Sequence, residues 1–117
     1  MQKVLHIVLL AEAKKTCEEI NEQIANKRMQ SLSRSIQQKI ECIRYNSHYG
    51  LPIAKVKIPQ RYIEKYDIHN LFRVELPQFW RMLYAVQLGQ DGKETIILII
   101  AIIDHKEYNK LFGYKNH

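Results

Sequence analysis

The feature that most constrains this chain is the run Ile96-Ile97-Leu98-Ile99-Ile100-Ala101-Ile102-Ile103. Eight consecutive apolar residues, six of them β-branched isoleucines, form a strand that is apolar on both faces. Such a strand reads as central in a sheet, and the rest of the fold must be built around it. It is also far short of the roughly 18–20 apolar residues that span a bilayer. The chain has 117 residues, one domain's worth. A single domain over residues 1–117, soluble and cytoplasmic, is the expectation. No secretory leader is expected either, because His6 interrupts the short apolar opening and no small-residue cleavage site follows.

The remaining elements follow from periodicity. Lys3 to Leu10 reads as a mostly apolar strand, of the kind usually central in a sheet. Residues 11–26 read as a helix with Ala13, Cys17, Ile20 and Ile24 on one face. A second helix over about residues 29–46 carries the stripe Met29, Leu32, Ile36, Ile40 and Ile43, and Gly50 with Pro52 marks its stop. Residues 51–68 read as irregular, with a short helical turn from Gln60 to Tyr66. Leu71–Leu76 then alternates, Pro77-Gln78 turns the chain, and Phe79–Gln87 returns. Gly89 to Gly92 makes the next hairpin turn into Glu94–Ile103. Asp104 can cap a last short helix up to Tyr114, with Gly113 ending it. The order is β-α-α-β-β-β(-α), an α+β class. The predicted architecture is a helical hairpin on one face of a small, mainly antiparallel four-stranded sheet.

Charge is distributed unevenly. Lys plus Arg is 18 against 12 Asp plus Glu, a net of +6. Between residues 27 and 65 the basic residues are Lys27, Arg28, Arg34, Lys39, Arg44, Lys55, Lys57, Arg61 and Lys65, and the acidic ones only Glu41 and Glu64. A basic stretch points to a polyanion or an acidic partner. Around Lys55, Lys57, Arg61 and Lys65 it is interleaved with Tyr62 and Tyr66, which suits RNA: cations meet phosphates and rings stack on unpaired bases. The same stretch also reads as a solvated loop with its tyrosines packed on the core.

Several chemistries lack their residues. No glycine-rich phosphate loop, His-Glu-x-x-His pair or serine elbow occurs. Cys17 and Cys42 are too few for a disulfide framework or a cysteine-built zinc site, and the five histidines are scattered. No metal or cofactor is expected. What remains is a charged set on the sheet's polar face and rim. Arg73, Glu75 and Arg81 point away from Phe72, Val74, Trp80 and Met82, and His105, Lys106 and Tyr108 follow the last strand. Metal-free RNA cleavage needs such groups: a base for the 2′-hydroxyl proton, cations on the phosphorane, and an acid for the 5′-oxygen. An arginine and glutamate across a hairpin also make an ordinary surface ion pair worth under about 1 kcal/mol.

The segment Asn70 to Val86, with its aromatic-Arg-x-x-Tyr element Trp80-Arg81-Met82-Leu83-Tyr84, resembles the core hairpin of the RelE/ParE toxin superfamily. The closing segment Ile103 to Tyr114 is similar to that family's C-terminal His-x-x-Tyr element, here His105 to Tyr108. The link Asn46 to Ile53 is similar to the one after the helical hairpin in some members. The resemblance implies a toxin of a type II toxin–antitoxin system, held inactive by a cognate antitoxin protein. RelE-like members cut mRNA on the ribosome; ParE-like members inhibit DNA gyrase by protein contact. By position, Arg81 matches the arginine that supports the cleaved phosphate, and Arg73 falls where a strand lysine stands. Arg81, Arg73, Glu75, His105 and Tyr108 are the expected catalytic set. Lys55, Lys57, Arg61, Lys65 and Lys106 are the expected RNA contacts. Glu75 departs from the pattern, replacing a second strand lysine with an acid. A ribosome-dependent endoribonuclease is the leading expectation. A gyrase inhibitor, a degenerate fold that keeps only its partner surface, and a plain RNA-binding protein are the alternatives.

Overall fold

The computed structural model describes residues 4–113. Lys3 and Tyr114, the outer limits of two predicted elements, lie outside the described residues. The elements in order are β1 (Val4–Leu9), α1 (Ala11–Glu22), α2 (Lys27–Tyr45), β2 (Leu51–Pro52), α3 (Gln60–Tyr66), β3 (Phe72–Glu75), β4 (Arg81–Leu88), β5 (Glu94–Ile103) and α4 (His105–Phe112). Short 3₁₀ turns sit at Lys55–Lys57 and Pro77–Phe79.

The sheet corrects the predicted architecture. It has five strands in the order β1-β5-β4-β3-β2, with β1 parallel to β5 and the other pairs antiparallel. The extra strand is β2, two residues that pair Leu51 with Arg73 and Pro52 with Phe72. A proline strand of that length carries no periodicity to read, and its missing donor is tolerated because β2 lies at the edge.

The other edge is β1, again against expectation. Its Leu5, Ile7 and Leu9 pack on the core while Val4 and Val8 stay exposed, at 47% and 41%. Composition suggests a central place for such a strand because it cannot separate a buried apolar face from a bare one.

The central β5 is covered on both sides. Ile97, Ile99 and Ile102 face a core formed with Ala13, Ile20, Leu32, Ile36 and Ile43 of α1 and α2. Leu98, Ile100, Ala101 and Ile103 face a second core under α3 and α4, with Tyr62, Leu83, Ala85 and Tyr108. Each fully buried Ile or Leu contributes about 1.5–3 kcal/mol. Strict alternation breaks at Ile100. Leu83 pairs with Ala101 and Tyr84 with Ile99, so Ile100 has no ladder partner and lies in a β-bulge. The doubled residue places Ile100 and Ala101 on the same side and keeps Ile102 on the α1–α2 side.

Helix ends follow local chemistry. Asn26 caps α2 by accepting from Arg28 N at 2.8 Å, and Asp104 caps α4 by accepting from Glu107 N at 2.9 Å. Tyr84, fully buried, fixes the link after α2. Its hydroxyl accepts from Gly50 N at 2.8 Å and donates to Ser47 O at 2.9 Å. Burial pushes this hydroxyl above the ordinary tyrosine pKa. Gly50 is required there: a Cβ would come within 2.9 Å of both Arg73 O and the Tyr84 ring.

The β3–β4 connection is the expected tight turn, but it is strained. Gln78 and Phe79 both have φ of 63°. The left-handed region costs a non-glycine residue on the order of 1–2 kcal/mol. Phe79, expected to open a strand, belongs instead to this turn, and β4 begins at Arg81.

No helix among the described residues is long and apolar enough to cross a membrane.

Candidate functional site

β3 and β4 pair Glu75 with Arg81 and Arg73 with Leu83. Alternation puts Phe72, Val74 and Met82 into the α1–α2 core, so Arg73, Glu75 and Arg81 emerge on the opposite side, the one that carries α4. There the three charged side chains meet. Arg81 Nε lies 2.9 Å from Glu75 Oε2, and Arg73 Nε lies 3.4 Å from Glu75 Oε1. The Arg81 contact is between charges rather than an aligned N–H···O bond. Arg81 also donates from Nη1 to Trp80 O at 3.2 Å.

Tyr108 closes the cluster from α4. Arg73 Nη1 donates to its hydroxyl at 2.9 Å. Both guanidiniums lie over its ring, Arg81 at 5.4 Å and Arg73 at 6.0 Å from the centroid. Tyr108 is 6% exposed, so it meets the arginines rather than solvent. The side chains of Arg81, Arg73 and Glu75 are 18%, 36% and 53% exposed. The cluster is thus anchored beneath and open above, with its carboxylate at the mouth.

His105 stands three residues before Tyr108 on α4, on the same side of the helix. It is exposed, and its ring meets Phe79 edge-on with centroids 6.0 Å apart. Lys106 is exposed on the next position of α4.

The expected RNA contacts separate. Lys57 lines a groove of about 350 Å³ with Arg73, Tyr108, Phe112, Leu51, Pro52, Ile53 and Ala54, continuous with the cluster. Arg61 and Lys65 do not join it. They lie over the rings of Tyr62 and Tyr66, at 5.2 and 5.5 Å, and line a separate cavity with Glu12. Lys55 is exposed on the 3₁₀ turn beside Lys57.

Phe79 and Phe112 border the site without being expected there. For Phe112 the i, i+4 spacing from Tyr108 is a usable signal. No signal marks Phe79, because Pro77 announces the turn but an aromatic residue after it reads as the opening of the returning strand. Asn70, two residues before β3, supports the site from outside. Its side chain bridges to β4, donating to Val86 O at 2.9 Å and accepting from Val86 N at 2.8 Å, and so fixes the start of β3.

Among the described residues, no group of three or more His, Cys, Asp or Glu side chains is placed to hold a metal. Cys17 and Cys42 are free thiols, half-buried in α1 and α2.

Comparison with family models, with curated proteins and with solved structures finds no match to this chain. The functional reading therefore rests on the residues and their arrangement.

Proposed function

We propose that the protein is a RelE-like toxin, a ribosome-dependent endoribonuclease that cleaves mRNA without a metal. The observation that carries the reading is the gathering of Arg73 and Arg81 around Glu75 and Tyr108 on one side of the hairpin, with His105 one helical turn before Tyr108 on α4.

In this reading the two guanidiniums bind the scissile phosphate. Their planar forks suit its oxygens and stabilise the added charge of the phosphorane. Glu75, at the mouth between them, takes the proton from the 2′-hydroxyl. The 2′-oxygen attacks the adjacent phosphorus and the bond to the 5′-oxygen breaks. His105 gives that oxygen its proton. A 2′,3′-cyclic phosphate and a 5′-hydroxyl result. Tyr108 orients Arg73, and Lys57 and Lys106 meet flanking phosphates. The partners are the ribosome with its mRNA and a cognate antitoxin.

A second reading has one observation in its favour. Glu75 already occupies both arginines, as in a fold that keeps its shape and acts by protein contact, such as a gyrase inhibitor. The experiment is induced expression of the wild type and Arg81→Ala with mapping of mRNA ends. Growth arrest with cleavage at translated codons is expected for the wild type, and loss of both for the variant. Arrest that persists in Arg81→Ala without cut mRNA, together with inhibition of purified gyrase, would overturn the nuclease reading.

A further inference from the structure

We infer that Phe79 is a stacking platform for an unpaired nucleobase next to the scissile phosphate, an inference that rests on the nuclease reading. Phe79 costs the fold at its backbone and returns little through its ring. Its backbone is in the left-handed region with φ of 63°, and its ring is 70% exposed. Glycine or asparagine at this position would remove the ring's exposure and ease the backbone together. Strain held at an exposed position marks a candidate site when the surroundings enforce it.

Here they do. Gln78, strained in the same way, donates from Nε2 to Arg28 O at 2.9 Å, tying the turn to the start of α2. Leu76 N donates to Trp80 O at 2.9 Å and Trp80 N to Pro77 O at 3.3 Å, closing the turn from within. The backbone that carries the ring is therefore held in one place.

That place is beside His105. Phe79 is two residues before Arg81 and touches the His105 ring. Its one ring neighbour among the described contacts is His105, the proton donor of the proposed nuclease, and Arg81 follows two residues on at the start of β4. The ring's neighbours Gln78 and His105 are polar and exposed. A protein partner would call for a contiguous apolar patch, whereas a single exposed ring beside the proposed proton donor matches one base next to the cleaved phosphate. Stacking accepts any base, since each has a π-face, so the platform serves unpaired RNA without reading its sequence.

The test compares the wild type with Phe79→Gly, Phe79→Asn and Phe79→Trp. The probe is a fluorescein-labelled, uncleavable 2′-O-methyl single-stranded RNA octamer, alongside the same octamer carrying abasic positions. Phe79→Gly and Phe79→Asn are expected to melt at a higher temperature than the wild type, yet to bind the octamer about tenfold more weakly. Phe79→Trp should restore binding. The abasic octamer should bind all four proteins equally weakly.

Octamer affinity unchanged in Phe79→Gly, while the wild type binds and cuts, overturns this inference alone. An equal loss of affinity for the abasic octamer in that variant also overturns it, since the ring would then be a contact to the backbone. Intact RNA binding with loss of a co-expressed protein inhibitor would overturn it too, assigning Phe79 to a protein contact. A wild type that neither binds the octamer nor cleaves mRNA overturns the nuclease reading together with this one.

Discussion

Arg81 Nε sits 2.9 Å from Glu75 Oε2, directly across the β3–β4 ladder. The same carboxylate reaches Arg73, so one acid is shared by two cations. A phosphate entering the site must share those guanidiniums with Glu75. In the proposed nuclease the carboxylate would therefore weaken anion binding while serving as the proton acceptor.

Replacing Glu75 separates these two effects. Glu75→Gln should bind single-stranded RNA a few-fold more tightly than the wild type and cleave about 10²–10⁴-fold more slowly. Because Glu75 is half exposed, the change should alter stability by no more than about 0.5 kcal/mol. Binding by anisotropy and end-mapped cleavage read the two effects independently. Undiminished cleavage would remove Glu75 from proton transfer.

Arg81→Lys keeps the charge and loses the fork. A lysine cannot contact the carboxylate, the Trp80 carbonyl and a phosphate together. Cleavage should fall about 10²-fold with little change in melting temperature. A variant as active as the wild type would show that a point charge suffices.

Tyr108→Phe removes the hydroxyl that accepts from Arg73 at 2.9 Å and leaves the ring in the α4 core. The loss in stability should be about 1 kcal/mol by denaturant titration. In the proposed nuclease Tyr108 orients Arg73, so kcat should fall about tenfold with KM nearly constant. A change in KM alone would make Tyr108 part of uniform substrate binding.

Tyr84→Phe leaves the buried Gly50 N without its acceptor and should cost about 1–3 kcal/mol. It should also change the alkaline limb of the stability curve. Burial raises the Tyr84 pKa above its ordinary 10.0 in the folded state. In the window above that value the unfolded chain binds fewer protons than the native one, so stability is complete below it and declines as pH rises through the folded pKa. The decline should be shallower in Tyr84→Phe. It should not vanish, because burial shifts Tyr62 in the same direction. Identical alkaline limbs would mean that Tyr84 ionises equally in both states.

Much of this fold is legible in the sequence because its elements are amphipathic at their own periods. The stripes on α1 and α2, the alternation around Arg73 and Arg81, and the Asp104 and Gly113 signals of α4 are local facts. They depend only on which residues are three, four or two apart. Alternation alone puts Arg73, Glu75 and Arg81 on one side of a hairpin. The resemblance to RelE-like toxins draws on the same short stretches.

The sequence determined by itself a helical pair, an apolar central β5, and a hairpin with charge on one face. Those follow from side-chain periodicity and hydrophobic burial, which act along the chain. Tertiary structure alone decided that β1 lies at an edge parallel to β5, that β2 makes a fifth strand, and that Ile100 bulges. It alone brought Tyr108 onto Arg73, 35 residues away, turned Arg61 and Lys65 toward another cavity, and held Phe79 in a strained turn. These depend on which surfaces meet once the chain is closed. Ladder hydrogen bonds and packing between distant residues set them, and neither leaves a local pattern.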